Sequence, residues 1–388
     1  MTTMQAPPNA PPPIRTNTSN AFAYHTMTRR VPEGIQQILD RNPDYPDPVR
    51  DALKSLRERI ENDEQIAPLA PSAPDYAYWQ PQYAVRTGET WLDTDWFFAE
   101  TYWYRKAVEI THWWESGRDP FLPIKDDEYA SDAHWLLLEA ALQEQGSPRY
   151  RLAHIIRQSL WGNRIDLSFP SSLSYGTEVG EDDLLVDETE AAVAQLMDGS
   201  GPVHLIADNA GSELTMDLAL ADLLLENRAL SVMIHLKLHP TFVSDATPTD
   251  VWRFWKMLAS RQGNAAVFGD RLRQAFDSGR LRLLPNLFWN SSYFLWEMPP
   301  HLQRVFAGAR LVVIKGDANY RRMVGDAVWP ADTPFVAVTS YFPVPLLALR
   351  TLKSDPLVGL ETGQAALLDE SDPRWRVNGK RGVVQFKL

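Results

Sequence analysis

Two hard oxygen donors stand side by side where an apolar run stops. Residues 202–208 read PVHLIAD, and Asp208 is followed at once by Asn209. Another carboxylate, Asp245, lies in TFVSDAT, just beyond the apolar run ALSVMIHLKL (229–238) and Pro240. Two later stretches mix carboxylate, amide and cation. KGDANYRR carries Lys315, Asp317, Asn319, Arg321 and Arg322, and RTLKSD carries Arg350 and Lys353. A few hard oxygens suit Mg2+ or Mn2+ with positions left open for water and substrate. Lys and Arg nearby suit a phosphate. A metal and cations together point to phosphoryl chemistry, where positioning and charge neutralisation supply most of the catalysis.

Such groups act together only if the fold gathers them. The second half of the chain alternates short apolar runs with helical patterns. Strands are expected at 202–208, 229–238, 280–286 (RLRLLPN), 309–315 (ARLVVIK) and 334–340 (PFVAVTS), with a helix at 213–226 and another near TDVWRFWKMLASRQ. Short apolar strands separated by helices indicate a mostly parallel sheet covered on both faces. In open sheets of this kind ligands bind beyond the carboxyl ends of the strands, which is where the candidate groups fall. The first half reads as helix. Pro32 suits a helix start in RVPEGIQQILDRN. Val49, Leu53, Leu56 and Ile60 form one apolar face. Residues 96–114 are aromatic-rich and lack proline and glycine, and Ser147, Pro148 and Gly162 bound a further helix. The expected organisation is a disordered Pro-rich tail at 1–20, a helical domain at 21–185 and an α/β/α domain at 186–388.

Composition narrows the chemistry. The chain has 388 residues and no cysteine, which excludes disulfides, zinc–thiolate sites, iron–sulfur clusters and cysteine nucleophiles. A formal net charge of −12 disfavours a nucleic-acid partner, because duplex binding needs a basic surface. No window approaches the ~18 apolar residues of a membrane span, and the first twenty residues lack the apolar stretch of a signal peptide. The expectation is a cytoplasmic protein with no membrane, nucleic-acid or protein partner.

Each candidate also has a plain structural reading. Asp-Asn-Ala-Gly is a turn sequence, and Asn209 could cap the following helix. Asp245 alone suits a loop, and Asp317 suits the first turn of a helix. Their joint placement at strand ends favours a site. Other patterns lack the necessary context. The Asp-x-Asp of DTDWF (93–97) has no apolar strand before it, and Gly199-Ser200-Gly201 precedes a strand instead of following one. There is no Walker A, H-E-x-x-H or G-x-S-x-G motif. His204 and His235 are expected to be packed within strands, and His112 to be structural within the aromatic helix.

Four motifs then resemble one family. SLWGNRIDLS (159–168), DNAGSELTMDLALADLLL (208–225), KGDANYRRMVGD (315–326) and RTLKSDPLVGLETGQ (350–364) resemble the metal-dependent damage-control phosphatases, long catalogued as a domain of unknown function. AFAYHTMTRRVPEGIQQILDR (21–41) is similar to the start of that family's helical domain. The Arg-Thr-x-Lys motif marks the subfamily that includes the acidic-residue methyltransferase-like proteins. The resemblance implies a helical N-terminal domain packed on a Rossmann-like α/β/α three-layer domain with a mostly parallel sheet. It implies a divalent metal on Asp208, Asn209 and Asp245, with Mn2+ first and Ni2+ or Co2+ as alternatives. It implies substrate-phosphate contacts at Asp317, Ala318, Asn319, Tyr320, Arg321 and Lys353, and an acidic group, Glu213, one turn into the helix. Asn163 and Asp166 match a Gly-Asn-x-x-Asp loop. Ala210 departs from the serine that relatives often carry, which leaves the ligands intact and alters what surrounds them.

The implied activity is hydrolysis of small sugar phosphates such as fructose 1-phosphate or fructose 6-phosphate, a small phosphorylated metabolite being the partner. Direct attack by water and an aspartyl-phosphate on Asp208 both fit the residues. The alternative is S-adenosylmethionine-dependent carboxyl methylation of protein glutamates, against which stands the absence of a glycine-rich cofactor loop after a first strand. A non-catalytic binding protein is the third reading, and the retained Asp208, Asn209, Asp245 and Lys353 argue against it.

Overall fold

A computed structural model describes residues 4–162, 183–227 and 229–388. Asn163 and Asp166 lie outside the described residues. Seven strands form one sheet: β1 (Leu184–Asp187), β2 (Val203–Ile206), β3 (Val232–Lys237), β4 (Leu281–Asn286), β5 (Leu311–Lys315), β6 (Leu346–Thr351) and β7 (Gly382–Lys387). Their order is β1-β7-β6-β5-β2-β3-β4, and every pair is parallel except β6 with β7. From β2 the chain steps outward to β3 and β4, then returns to β5 on the other side of β2. The topological switch point, where open α/β sheets bind ligands, therefore lies between β2 and β5.

Period-two alternation divides the strands between two cores. Val203, Leu205, Leu311, Val313, Leu347 and Leu349 face one apolar cluster, and Ile206, Val312, Ile314, Leu346 and Ala348 face another. The helix Gly211–Glu226 is buried almost all round, which is why its apolar residues follow no single stripe. His204 and His235 meet across β2 and β3 with Nδ1 and Nε2 2.9 Å apart; His235 stacks on Phe306 and His204 meets the same ring tilted. Burial pushes the His204 imidazole down to about 4, and burial beside His204 pushes His235 well below its ordinary value. They are packed groups, as expected.

The helical first half has its own core, from Ile14 to Phe121. Val49, Leu53, Leu56 and Ile60 are buried along the helix Asp47–Glu61, and Ser147 caps the helix Pro148–Trp161 by accepting from Tyr150 N–H. The helices Leu122–Tyr129, Asp132–Gln143 and Pro148–Trp161 share their core with the sheet. The change of core thus falls between Phe121 and Tyr129, ahead of the division at 185 read from the sequence. No helix among the described residues is long and apolar enough to cross a membrane.

Three expectations need correction. PFVAVTS is not a strand: Phe335–Thr339 is one helical turn after Pro334. Its buried residues are Phe335, Val338 and Thr339, spaced at three and four, and a short apolar run does not by itself separate helix from strand. The strand is β6, and Arg350 and Thr351 of the RTLK motif are its last two residues. Residues 4–20 are no free tail. Ile14 is buried, its N–H donates to the Asp326 carbonyl at 2.9 Å, and its carbonyl accepts from Trp96 N–H at 2.8 Å. Proline-rich composition removes internal hydrogen bonds, but it does not prevent a segment from docking through bonds to its neighbours. His112 sits not within the aromatic helix but in the turn after it, at φ 53° and with its side chain largely exposed.

Candidate active site

The sheet register brings the strand ends together. Ile206 of β2 lies opposite Ile314 of β5 and His235 of β3, so Asp208, Gly316–Asp317 and Lys237 all follow at one edge. The segment 241–246 then folds back onto 208–210. Ala246 N–H donates to the Asp208 carbonyl and Ala210 N–H to the Ser244 carbonyl, both at 2.7 Å. Asn209 and Asp245 form an antiparallel bridge. Reaching that pairing requires Phe242 and Val243 at φ 47° and 66°. Positive φ at a β-branched valine is strained, of order 1–3 kcal/mol, and such strain concentrates at functional sites. Buried Lys125 fixes the loop from below, donating to the Asp245 carbonyl at 3.0 Å and to Asp250 at 2.9 Å.

The result is a buried carboxylate pair. Asp208, Asn209 and Asp245 are 6%, 9% and 1% exposed, and Asp208 Oδ1 and Asp245 Oδ2 have no hydrogen-bond partner. Burial raises the Asp208 carboxyl well above its ordinary value, and the negative charges of Asp245 and Glu213 add to the effect, against Lys237 and Lys353. Burial likewise pushes Asp245 up to about 6, opposed mainly by Lys237. Lys237 Nζ stands 3.3 Å from Asp245 Oδ2, in ion-pair range but off a hydrogen-bonding line.

Asn209 does not cap the helix. Its Nδ2 donates to Asp208 at 3.0 Å and to Glu213 at 2.9 Å, and its Oδ1 accepts from Ser244 Oγ at 2.6 Å. Glu213 therefore fixes which way the amide points, and is itself held by Lys315, whose Nζ is 3.0 Å from its Oε1. Lys315 also donates to Asp217 at 2.8 Å and to the Ser159 carbonyl at 2.7 Å. Burial opposes the Lys315 charge, but Asp217 and Glu213 outweigh it and hold the pKa above its ordinary value.

The helix Asp317–Val324 starts at the switch point beside Asp208. Gly316 has φ 80°, and a Cβ there would lie 1.9 Å from Asp208 Oδ2, so the backbone approaches the carboxylate as only glycine allows. Asp317 brackets this turn to the Arg-Thr-x-Lys segment. It accepts from Arg350 Nε at 2.8 Å, from Lys353 N–H at 3.1 Å and from Ser354 Oγ at 2.7 Å. Burial opposes its charge, yet Arg350 and Arg321 hold its carboxyl below the usual range. Lys353 itself is exposed.

The side chains of the other motif residues are largely engaged within the protein. Ala318 is nearly buried in the first turn. Asn319 donates to the Ala207 and Lys315 carbonyls, tying the ends of β2 and β5. Tyr320 donates to Gln385 at 2.9 Å. Arg321 is buried between Glu100 and Asp326, at 2.5 and 2.6 Å, with its guanidinium 3.7 Å from the Trp96 ring centroid. Both carboxylates hold that guanidinium in place, and its charge also acts on Asp317. Arg322 donates to the carbonyls of Trp289, Ser291 and Tyr293. Sequence reasoning missed Lys237, Asp217, Ser244 and Gly316. Charges inside apolar runs were the available signal for Lys237 and Asp217, because a buried charge must be paired.

Among the described residues no three His, Asp or Glu side chains converge as a ready-made metal cluster. The donor set is instead two carboxylates and an amide, and its two carboxylate oxygens without a hydrogen-bond donor, one of them facing Lys237, fit a divalent cation.

Comparison with known proteins identifies the family. The damage-control phosphatase ARMT1-like domain matches residues 26–368. The chain is similar to damage-control phosphatase ARMT1 of Danio rerio and of Xenopus tropicalis, each at 29% identity. These alignments cover 94% of this chain and 94% and 96% of those proteins. The Homo sapiens protein is 26% identical with 94% and 96% coverage. In structure it is similar to a DUF89 family protein from Pyrococcus horikoshii, with TM-score 0.54, 13% identity, and 93% and 97% of the two chains covered. That likeness supports the fold alone. Motifs, sheet and whole-length similarity converge, and the chain belongs to the ARMT1-like damage-control phosphatase family.

Proposed function

We propose that this protein hydrolyses phosphate monoesters of small sugars, of the fructose 1-phosphate or fructose 6-phosphate type, using a divalent metal held by Asp208, Asn209 and Asp245. One observation carries the reading: Asp208, with one oxygen that no donor reaches and Asp245 paired to its loop, lies against the N-terminus of the helix Asp317–Val324. A cation site beside a helix N-terminus gives a phosphate both a counter-charge and N–H donors. When bound, the metal polarises phosphoryl oxygens and lowers the pKa of a water. The first-turn N–H groups of Asp317, Ala318 and Asn319 hold the remaining phosphate oxygens. Lys353, whose charge acts on Asp208, neutralises the charge that develops. Asp317 positions Lys353 through its backbone, while Glu213 and Ser244 orient the Asn209 amide. The sugar class rests on the Arg-Thr-x-Lys motif and its subfamily, and Mn2+, Co2+ or Ni2+ suits a small oxygen site with open positions.

The test is phosphate release from both fructose phosphates and from p-nitrophenyl phosphate after chelation and metal add-back. Mn2+, Co2+ or Ni2+ is expected to restore activity. Strong activity with Ca2+ alone contradicts the proposed site. Carboxyl methylation is not favoured, and methyl transfer from labelled S-adenosylmethionine without phosphate release reverses that order.

Lys353→Ala is expected to leave folding and metal content unchanged and to lower kcat/KM for a sugar phosphate by on the order of 2–4 kcal/mol, as for loss of one charge-stabilising group. Lys353→Arg restores part of it, since a planar fork does not replace a compact ammonium. Wild-type kinetics in the alanine variant would make Lys353 an ordinary surface residue.

A further inference from the structure

A cleft of about 610 Å³ opens between the helical region and the metal-side loop. That is within the ~300–1,000 Å³ of small-molecule sites. Two of its lining residues link it to the candidate active site. Glu100 gives an oxygen to Arg321, and Val243 stands two positions before Asp245 in the strained loop. Its opposite wall is the only π-helical turn among the described residues, Thr26–Arg30, set between the α-helices Ala21–His25 and Val31–Arg41. The cause is visible in the sequence. Pro32 has no N–H for the carbonyl of Thr28 and its ring crowds that carbonyl, so the ladder widens and Val31 N–H reaches back to the Thr26 carbonyl. Such π turns recur at functional sites because they turn side chains out of helical register.

Two groups on this wall have unused hydrogen-bonding capacity. Thr26 is 3% exposed and its hydroxyl has no partner, although it lines the cleft. Arg30 also lines the cleft. Its guanidinium lies 5.7 Å from the Phe22 centroid, and its charge also acts on Tyr104 in the same cleft. Three other polar groups there are engaged within the protein. Gln36 donates to Asp40 and accepts from Arg57, and Arg41 donates to Asp127. A buried hydroxyl without a partner costs about 1–3 kcal/mol, a cost that ligand binding can remove.

We propose that this cleft takes the polyhydroxylated body of the phosphorylated substrate, recognised by Thr26, Arg30 and Glu100. The proposal rests on the phosphatase reading above and names the residues that set its specificity. A carboxylate, a guanidinium and a hydroxyl offer both acceptors and donors, which is what vicinal hydroxyl groups require. The phosphate end is fixed by groups on the sheet edge, so the helical region selects what the phosphate is attached to.

Thr26→Val and Arg30→Ala test this with two esters under the same metal. One is fructose 6-phosphate, and the other is p-nitrophenyl phosphate, which has no polyol. Each variant is expected to raise KM for fructose 6-phosphate about tenfold or more and to leave p-nitrophenyl phosphate kinetics unchanged. Equal losses on both esters, or an unchanged sugar-phosphate KM, overturn the proposal. A raised melting temperature for Thr26→Val with unchanged KM also overturns it, since the hydroxyl is then an idle buried group. Calorimetric titration with fructose 6-phosphate separates the two readings. If the wild-type protein binds but does not hydrolyse it, the phosphatase reading fails. The cleft assignment then stands if the variants bind about tenfold or more weakly, and falls if they bind equally.

Discussion

Asp208→Ala is expected to lower kcat/KM for phosphate release by on the order of 10³-fold or more, ~4 kcal/mol, while the metal-free variant melts no lower than metal-free wild type. The two signs have one origin. Asp208 is buried beside Asp245 and Glu213, with an oxygen that no donor reaches. Its carboxyl is raised well above its ordinary value. A group whose folded pKa exceeds its unfolded pKa favours the folded state below the unfolded value. That contribution is lost as pH rises through the folded value. Near neutrality and without metal, the carboxylate is therefore a burden on the fold, and removing it relieves repulsion with Asp245. The same removal takes away an oxygen donor, so metal content falls together with activity. Elemental analysis, steady-state kinetics and melting with and without metal check all three. Full metal occupancy in Asp208→Ala would remove this residue from the ligand set. A large loss of metal-free stability would show that its carboxylate stabilises the loop pairing instead.

Gly316→Ala carries the second large effect, and it follows from backbone geometry alone. The residue has φ 80° and a new Cβ would meet Asp208 Oδ2 at 1.9 Å and Asp208 Cβ at 2.6 Å. The left-handed conformation costs about 1 kcal/mol in alanine, and the overlap forces either the Asp208 carboxylate or the start of the helix Asp317–Val324 to move. Both hold the reacting groups. A misplacement of ~1 Å at a catalytic site costs on the order of 10²-fold, so kcat/KM is expected to fall at least that far. The folded fraction should remain high, because the strain is confined to one turn. Circular dichroism and metal content serve as controls. If the loss of activity only tracks the loss of folded protein, Gly316 serves the turn and not the site.

Much of this molecule is written locally in the chain. Apolar runs ending at Asp208 and Lys315 were readable as strands because burial on both faces demands continuous apolar residues. The Ser147-Pro148 start and the Val49–Ile60 face were readable because caps and helical period are short-range. Motif order identified the family, and the family model and whole-length relatives agree. The type of each candidate side chain followed from the sequence in the same way. Its task was decided by tertiary structure. Nothing within KGDANYRR tells that Arg321 is saturated by Glu100, more than two hundred positions away, and by Asp326. Nothing in TFVSDAT tells that Lys125 anchors the loop carrying Asp245. The docking of residues 4–20, and the replacement of PFVAVTS by Leu346–Thr351 as the strand beside β5, likewise depend on distant partners. Burial, ion pairing and close backbone approach are relations between segments far apart in the chain. Local pattern fixes what each segment can become, and only packing fixes which charges are neutralised and which oxygens remain free.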